Sequence, residues 1–181
     1  MKEVEPIRDR EKIEEMKTEL LKSGYRDYLL FVMGINTGLR ISELLDLKVK
    51  DVKNKSHIVL EEEKTGKRKK FLINARLRRD IDRYIGNMQA WEYLFQSQKG
   101  ENKPISRVQA YRILRDAAEE VGIESVGTHT LRKTFGYFHY QEYRDVALLQ
   151  ELFNHSSPSI TLDYIGINQD NLDRTIEEFY L

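Results

Sequence analysis

Cysteine is absent from the 181 residues of this chain, which removes disulfides, thiolate metal sites and cysteine nucleophiles and fits a reducing compartment. Proline is scarce, at three residues against ten glycines, and no tract reads as a linker or as a repeat of solenoid period. Long hydrophobic runs are missing too. No stretch approaches the ~20 apolar residues of a membrane span, and the opening Lys2, Glu3, Glu5, Arg8, Asp9 and Arg10 leave no room for an apolar signal-peptide core. A cytoplasmic protein with no membrane association is expected. Neither sign of charge is in excess, with 30 Lys plus Arg against 30 Asp plus Glu, so the sum does not advertise a polyanionic partner.

The distribution of charge says more. Cations gather in Lys64-Thr65-Gly66-Lys67-Arg68-Lys69-Lys70 and at Arg76, Arg78 and Arg79, while Glu61-Glu62-Glu63 and the stretch from Asp170 to Glu178 are acidic. A solvated face is the ordinary reading of such a run, and other features must decide whether it meets nucleic acid. With 40% apolar residues, the length supports one substantial core. A single domain over 1–181 is expected.

Apolar spacing assigns the elements. Ile13, Met16, Leu20 and Leu21 place a helix from Asp9 to Lys22 with Gly24 as its cap, and Tyr28 to Ile35 reads as a buried helix ending near Gly38. Ser42 to Leu45 suggests a further short turn. The period then changes: Val49, Val52, Ile58-Val59-Leu60 and Phe71-Leu72-Ile73 are β-prone, with Thr65-Gly66 as hairpin-turn chemistry. Helical spacing resumes at Leu77, Ile81, Tyr84 and Ile85; Gln96 to Pro104 reads as a loop, and Ser106 as the N-cap of a helix running to Val121. His129 to Tyr140, Asp145 to Phe153, Pro158 to Tyr164 and a last segment from about Asn168 or Asp170 follow as helices. The expected fold is α+β, mainly helical, with one small antiparallel sheet.

The chemistry concentrates in the last third, in Thr128-His129-Thr130-Leu131-Arg132-Lys133, Asn154-His155-Ser156-Ser157 and Thr161-Leu162-Asp163-Tyr164. Two imidazoles, a guanidinium and a phenol on short, close segments can grip a phosphodiester and attack it, and Tyr164 is the member able to act as a covalent nucleophile.

Thr37-Gly38-Leu39-Arg40-Ile41-Ser42-Glu43-Leu44, Lys64-Thr65-Gly66-Lys67, His129-x-x-Arg132, His155-Ser156-Ser157 and Tyr164, nine residues after His155, resemble in order the motif boxes of the tyrosine recombinase, or phage integrase, catalytic domain. The resemblance implies cleavage and rejoining of double-stranded DNA through a 3′-phosphotyrosine, with no metal or other cofactor. It implies six catalytic residues: Arg40 and Arg132 as a phosphate clamp, His129 and the arginines as helpers of the phenol, His155 as a donor to the scissile phosphate, Lys64 as the acid for the departing 5′ oxygen, and Tyr164 as nucleophile. Planar guanidinium forks suit the clamp because they meet phosphate oxygens bidentately. Lys67, Arg68, Lys69 and Lys133 are expected to contact DNA.

Duller roles stand beside these. Arg40 can cap or pair at a helix end, Glu43 can orient Arg40, His57 and His139 read as structural, and Tyr180 is a competing nucleophile. Asn154 stands where the family usually has glycine and can adopt the left-handed conformation. The core-binding domain that most family members carry ahead of the catalytic region is not among these residues, so DNA affinity is expected to be weak and salt-dependent. The apolar stripe of Leu172, Ile176, Phe179 and Leu181 is expected to dock on a neighbouring protomer, in a tetramer on DNA, or to pack on its own core. The competing functions are a topoisomerase of type IB, a non-catalytic DNA-binding module, and a protein-interaction domain.

Overall fold

In the computed structural model, residues 4–61, 66 and 68–180 are described. Helix α1 (Arg10–Ser23) starts where the Asp9 carboxylate accepts the Glu11 amide, and it buries Ile13, Met16 and Leu20. Helix α2 (Tyr25–Thr37) is apolar nearly all round and buries Leu29 to Gly34, as the central helix of a bundle must. Two short helices follow, α3 (Ile41–Leu45) and α4 (Val49–Val52).

The second of these corrects an expectation. By type Val49 and Val52 are β-prone, yet they lie one helical turn apart and are both fully buried. The Asp51 carboxylate accepts the Lys48 amide at 2.8 Å and closes the first turn, while the Val49 amide is taken by the Glu92 carbonyl at 2.9 Å. Local capping and burial of both valines on one face outweigh β-branching.

Strands β1 (His57–Glu61) and β2 (Arg68–Leu72) pair antiparallel, from His57 opposite Leu72 to Glu61 opposite Arg68. Side chains alternate between the faces of such a ladder. Ile58, Leu60, Phe71 and Lys69 therefore share the inner face, and Arg68 and Lys70 the outer one. Helices α5 (Ala75–Ile85) and α6 (Arg107–Glu120) are capped by Asn74 and Ser106 and pack Leu77, Ile81, Ile85, Ala110 and Leu114 into the core. The main core lies among α1, α2, α5 and α6, with Leu47, Leu94, Phe95 and Ile105 supplied by connecting segments.

Helix α7 (Thr130–Tyr143) crosses α2 and buries Leu131 there. Beyond it, α8 (Val146–Phe153), α9 (Pro158–Tyr164) and α10 (Ile167–Glu177) rest on a separate small core of Leu149, Phe153, Ile165 and Ile167. Gly136 permits this packing, because a Cβ there would lie 2.6 Å from Ile165 and 2.8 Å from Phe153. Among the described residues no helix is long and apolar enough to cross a membrane.

Candidate active site

Arg132 is the most constrained side chain of the site. It projects from the first turn of α7 and is only 4% exposed. Nη1 donates to the Gly38 carbonyl at 2.6 Å and Nη2 to the Phe153 carbonyl at 3.2 Å. Those carbonyls close α2 and α8, where helix dipoles present their negative ends. The guanidinium carbon also lies 4.3 Å from the Phe153 ring centroid. Burial, and next the charge of Arg40, push its pKa down to about 10, so the group stays cationic at neutral pH.

Gly38 is what lets α2 end against this site. Its φ of +68° closes the helix in the left-handed region, and a Cβ would lie 2.5 Å from the Phe135 ring. Two residues on, Arg40 caps α3: the Glu43 carboxylate accepts the Arg40 amide at 2.6 Å and Nη1 at 2.9 Å. The capping and pairing expected as a dull alternative therefore coexist with a side chain 49% exposed toward solvent. Arg40 and Arg132 both line a cleft of about 710 Å³ shared with Leu60, Lys69, Phe71 and Arg107.

Tyr164 ends α9. Its ring stands edge-on to His155, Phe153 and His129, at centroid distances of 5.1, 5.6 and 6.5 Å. His129, at the N-cap of α7, brings Nδ1 to 3.3 Å from the Tyr164 hydroxyl. Burial raises the pKa of the phenol, while the charges of Arg132 and Arg40 oppose that rise. The same burial lowers the pKa of His129, aided by Arg132, Lys133 and Arg40, so that its ring is neutral near pH 7 and able to accept a proton.

His155 follows Asn154, whose φ of +58° bears out its expected left-handed conformation at the end of α8. The His155 amide closes back on the Gln150 carbonyl at 3.0 Å, and Nδ1 meets the Thr161 hydroxyl at 3.0 Å. Burial lowers the pKa of this imidazole as well, with Arg132 and Arg40 adding to the effect. His129, Arg132, His155 and Tyr164 are thus brought together from the start of α7, the connection between α8 and α9, and the end of α9, with Arg40 close enough for its charge to act on each.

The remaining residues fall differently. Lys64 and Lys67, with the Thr65 side of the predicted turn, lie outside the described residues. Arg68 is 72% exposed beside Glu61, at 3.6 Å. Lys69, on the inner face of the ladder, donates to the Glu151 carbonyl at 3.2 Å, which ties β2 to α8. Lys133 is 7% exposed and holds Nζ 5.1 Å from the Tyr164 ring centroid. His57 meets the Ser56 hydroxyl at 2.9 Å, and His139 packs between Phe135 and Tyr143. Tyr180 is 96% exposed, in contrast to Tyr164. Leu172, Ile176 and Phe179 are 52, 62 and 66% exposed, so the stripe does not pack on its own core; Leu181 lies outside the described residues.

Sequence reasoning missed three contributors: the Gly38 and Phe153 carbonyls that hold Arg132, the Phe153 ring that braces three site residues, and the buried Thr161. Backbone acceptors leave no residue-type signal. Thr161 had one, since it falls one helical turn after the N-cap Ser157 and one turn before Tyr164.

Two arginines, two histidines and a tyrosine gathered in a mainly helical domain are the set that the resemblance to the tyrosine recombinase catalytic domain implies. Residues 9–170 match the phage integrase family, and the chain belongs to it. It is 56% identical over 167 residues to the probable integrase/recombinase YoeC of Bacillus subtilis, covering 92% of each chain. With tyrosine recombinase XerA of Pyrococcus furiosus it shares 29% identity over 170 residues, covering 92% of this chain and 59% of XerA. The fold matches a crystal structure of XerA recombinase with a TM-score of 0.74 at 22% identity, across 97% of this chain and 66% of that one.

Proposed function

We infer that this chain is a single catalytic domain of a site-specific DNA recombinase, acting on double-stranded DNA in the cytoplasm. The observation that carries the reading is the approach of His129 and His155 to Tyr164 beside a buried, doubly anchored Arg132. A phosphodiester bound across Arg40 and Arg132 has its non-bridging oxygens neutralised as charge builds on them. The carbonyls fix Arg132 before DNA arrives, so little reorganisation is left for the reaction.

Tyr164 Oη then attacks phosphorus while its proton passes to His129 Nδ1. The bond from phosphorus to the 5′ oxygen breaks, and Lys64 protonates that oxygen as it leaves. A 3′-phosphotyrosine and a free 5′-hydroxyl result. Because the covalent bond conserves the energy of the cut strand, attack by a 5′-hydroxyl reverses the step without a nucleotide cofactor. Arg68 and Lys69 would add backbone contacts, and the buried Lys133 would keep positive charge over the nucleophile. The exposed stripe on α10 would dock on a neighbouring protomer in a tetramer assembled on DNA; deletion of that tail should then reduce assembly on DNA. Incubation with a nicked suicide substrate should trap a covalent protein–DNA adduct that Tyr164→Phe abolishes. An adduct that persists in that variant overturns the reading.

A further inference from the structure

Thr161 is fully buried on α9, and its hydroxyl has one proton to offer two neighbours. His155 Nδ1 lies at 3.0 Å and the Ser157 carbonyl at 3.4 Å. The carbonyl already receives the Thr161 amide through the helix ladder, so the hydroxyl is surplus there. A neutral imidazole carries one N–H and one lone pair, and its tautomer follows the hydrogen bond made at the other nitrogen. The charged and titratable groups facing this ring are Arg132 of α7, Arg40 ahead of α3 and Tyr164 of α9; α8 contributes the Phe153 ring at 5.5 Å.

We propose that Thr161 is a positioning residue that selects the tautomer of His155, donating to Nδ1 so that Nε2 carries the proton toward a phosphate in the clamp. This rests on the reading of the site given above. A phosphate oxygen offers only lone pairs, so a neutral ring with its proton on Nδ1 would oppose lone pair to lone pair at Nε2. Rotation of the threonine hydroxyl removes that conflict without turning the ring, which Phe153 and Tyr164 hold edge-on. If the ring takes up a second proton, the hydroxyl turns over, accepts from Nδ1 and donates to the Ser157 carbonyl. Nε2 stays a donor in both charge states. Threonine meets this requirement where valine, of the same shape, offers neither donor nor acceptor.

The test is nitrogen-15 NMR of the His155 imidazole in the full chain bound to a duplex oligonucleotide at neutral pH, beside adduct-formation rates for Thr161→Val and Thr161→Ser. The wild type should show the neutral ring protonated at Nε2. Thr161→Val should slow adduct formation on the order of tenfold or more, with DNA affinity little changed, and Thr161→Ser should restore most of the rate. A ring protonated at Nδ1 in the DNA-bound wild type overturns the proposal, as does a valine variant as fast as wild type. An adduct surviving Tyr164→Phe would strike at the assignment of the nucleophile instead, and the tautomer measurement is independent of it.

Discussion

His129 Nδ1 stands 3.3 Å from the Tyr164 hydroxyl across 35 residues of chain. The distance gives a weak nucleophile a base within reach, and the shared causes of their shifts give it the right polarity. Burial raises the phenol and lowers the imidazole. The phenol thus waits protonated beside a ring that is neutral near pH 7 and ready to accept that proton. Adduct formation should be flat around pH 7 to 8 and fall on the acid side, below the ordinary histidine value of about 6.5, as His129 takes up a proton. Removing the base in His129→Ala should cost about 100-fold or more and abolish that acid limb, read from a pH–rate profile.

Arg132 should not tolerate lysine. Its fork spans the Gly38 and Phe153 carbonyls while the charge faces the cleft, and one ammonium cannot serve both acceptors from a buried stem. Arg132→Lys should lower adduct formation by about 100-fold and stability by about 1–3 kcal/mol through a carbonyl left without a donor. Urea titration and single-turnover cleavage separate the two effects.

The residues that announce themselves by type and order were legible in the sequence. Helical spacing located most helices and Gly38 ended α2, while the motif boxes picked out Arg40, His129, Arg132, His155 and Tyr164. What stayed hidden has a common cause: it depends on contacts between distant segments. The valines of α4 look like strand residues until the Glu92 carbonyl takes the Val49 amide. Lys69 and Lys133 look like surface cations, yet ladder register turns one inward and the first turn of α7 buries the other. The exposure of α10 could not be read from its apolar stripe, because a stripe looks the same whether or not its partner belongs to the same chain.

Gly136→Ala should loosen the part of the molecule that carries the nucleophile. The added methyl meets Ile165 and Phe153 inside a core of only four buried residues. Overpacking of this kind should cost about 1–3 kcal/mol. Amide exchange in α8 and α9 should accelerate more than in α2, because the main core is not touched.

Stability should also depend on pH through histidine. Folding lowers the pKa of His129, His139 and His155, in each case chiefly by burial. The unfolded chain therefore binds more protons on the acid side. The contribution of these rings is complete above the unfolded value of about 6.5 and is lost as pH falls from there through their lowered folded values. Thermal midpoints measured from pH 8 to pH 5 should decline in that window, and His139→Phe should flatten the decline, since that ring lies outside the site and its buried Nδ1 has no hydrogen-bond partner among the described residues.

The most direct measurement is mass spectrometry of peptides from the trapped adduct, after nuclease digestion of the DNA. The nucleotide remnant should be found on the peptide containing Tyr164, joined through the phenol oxygen. A remnant on Tyr180, on a histidine or on a serine would contradict the account, as would the absence of any covalent product from a substrate that the protein binds.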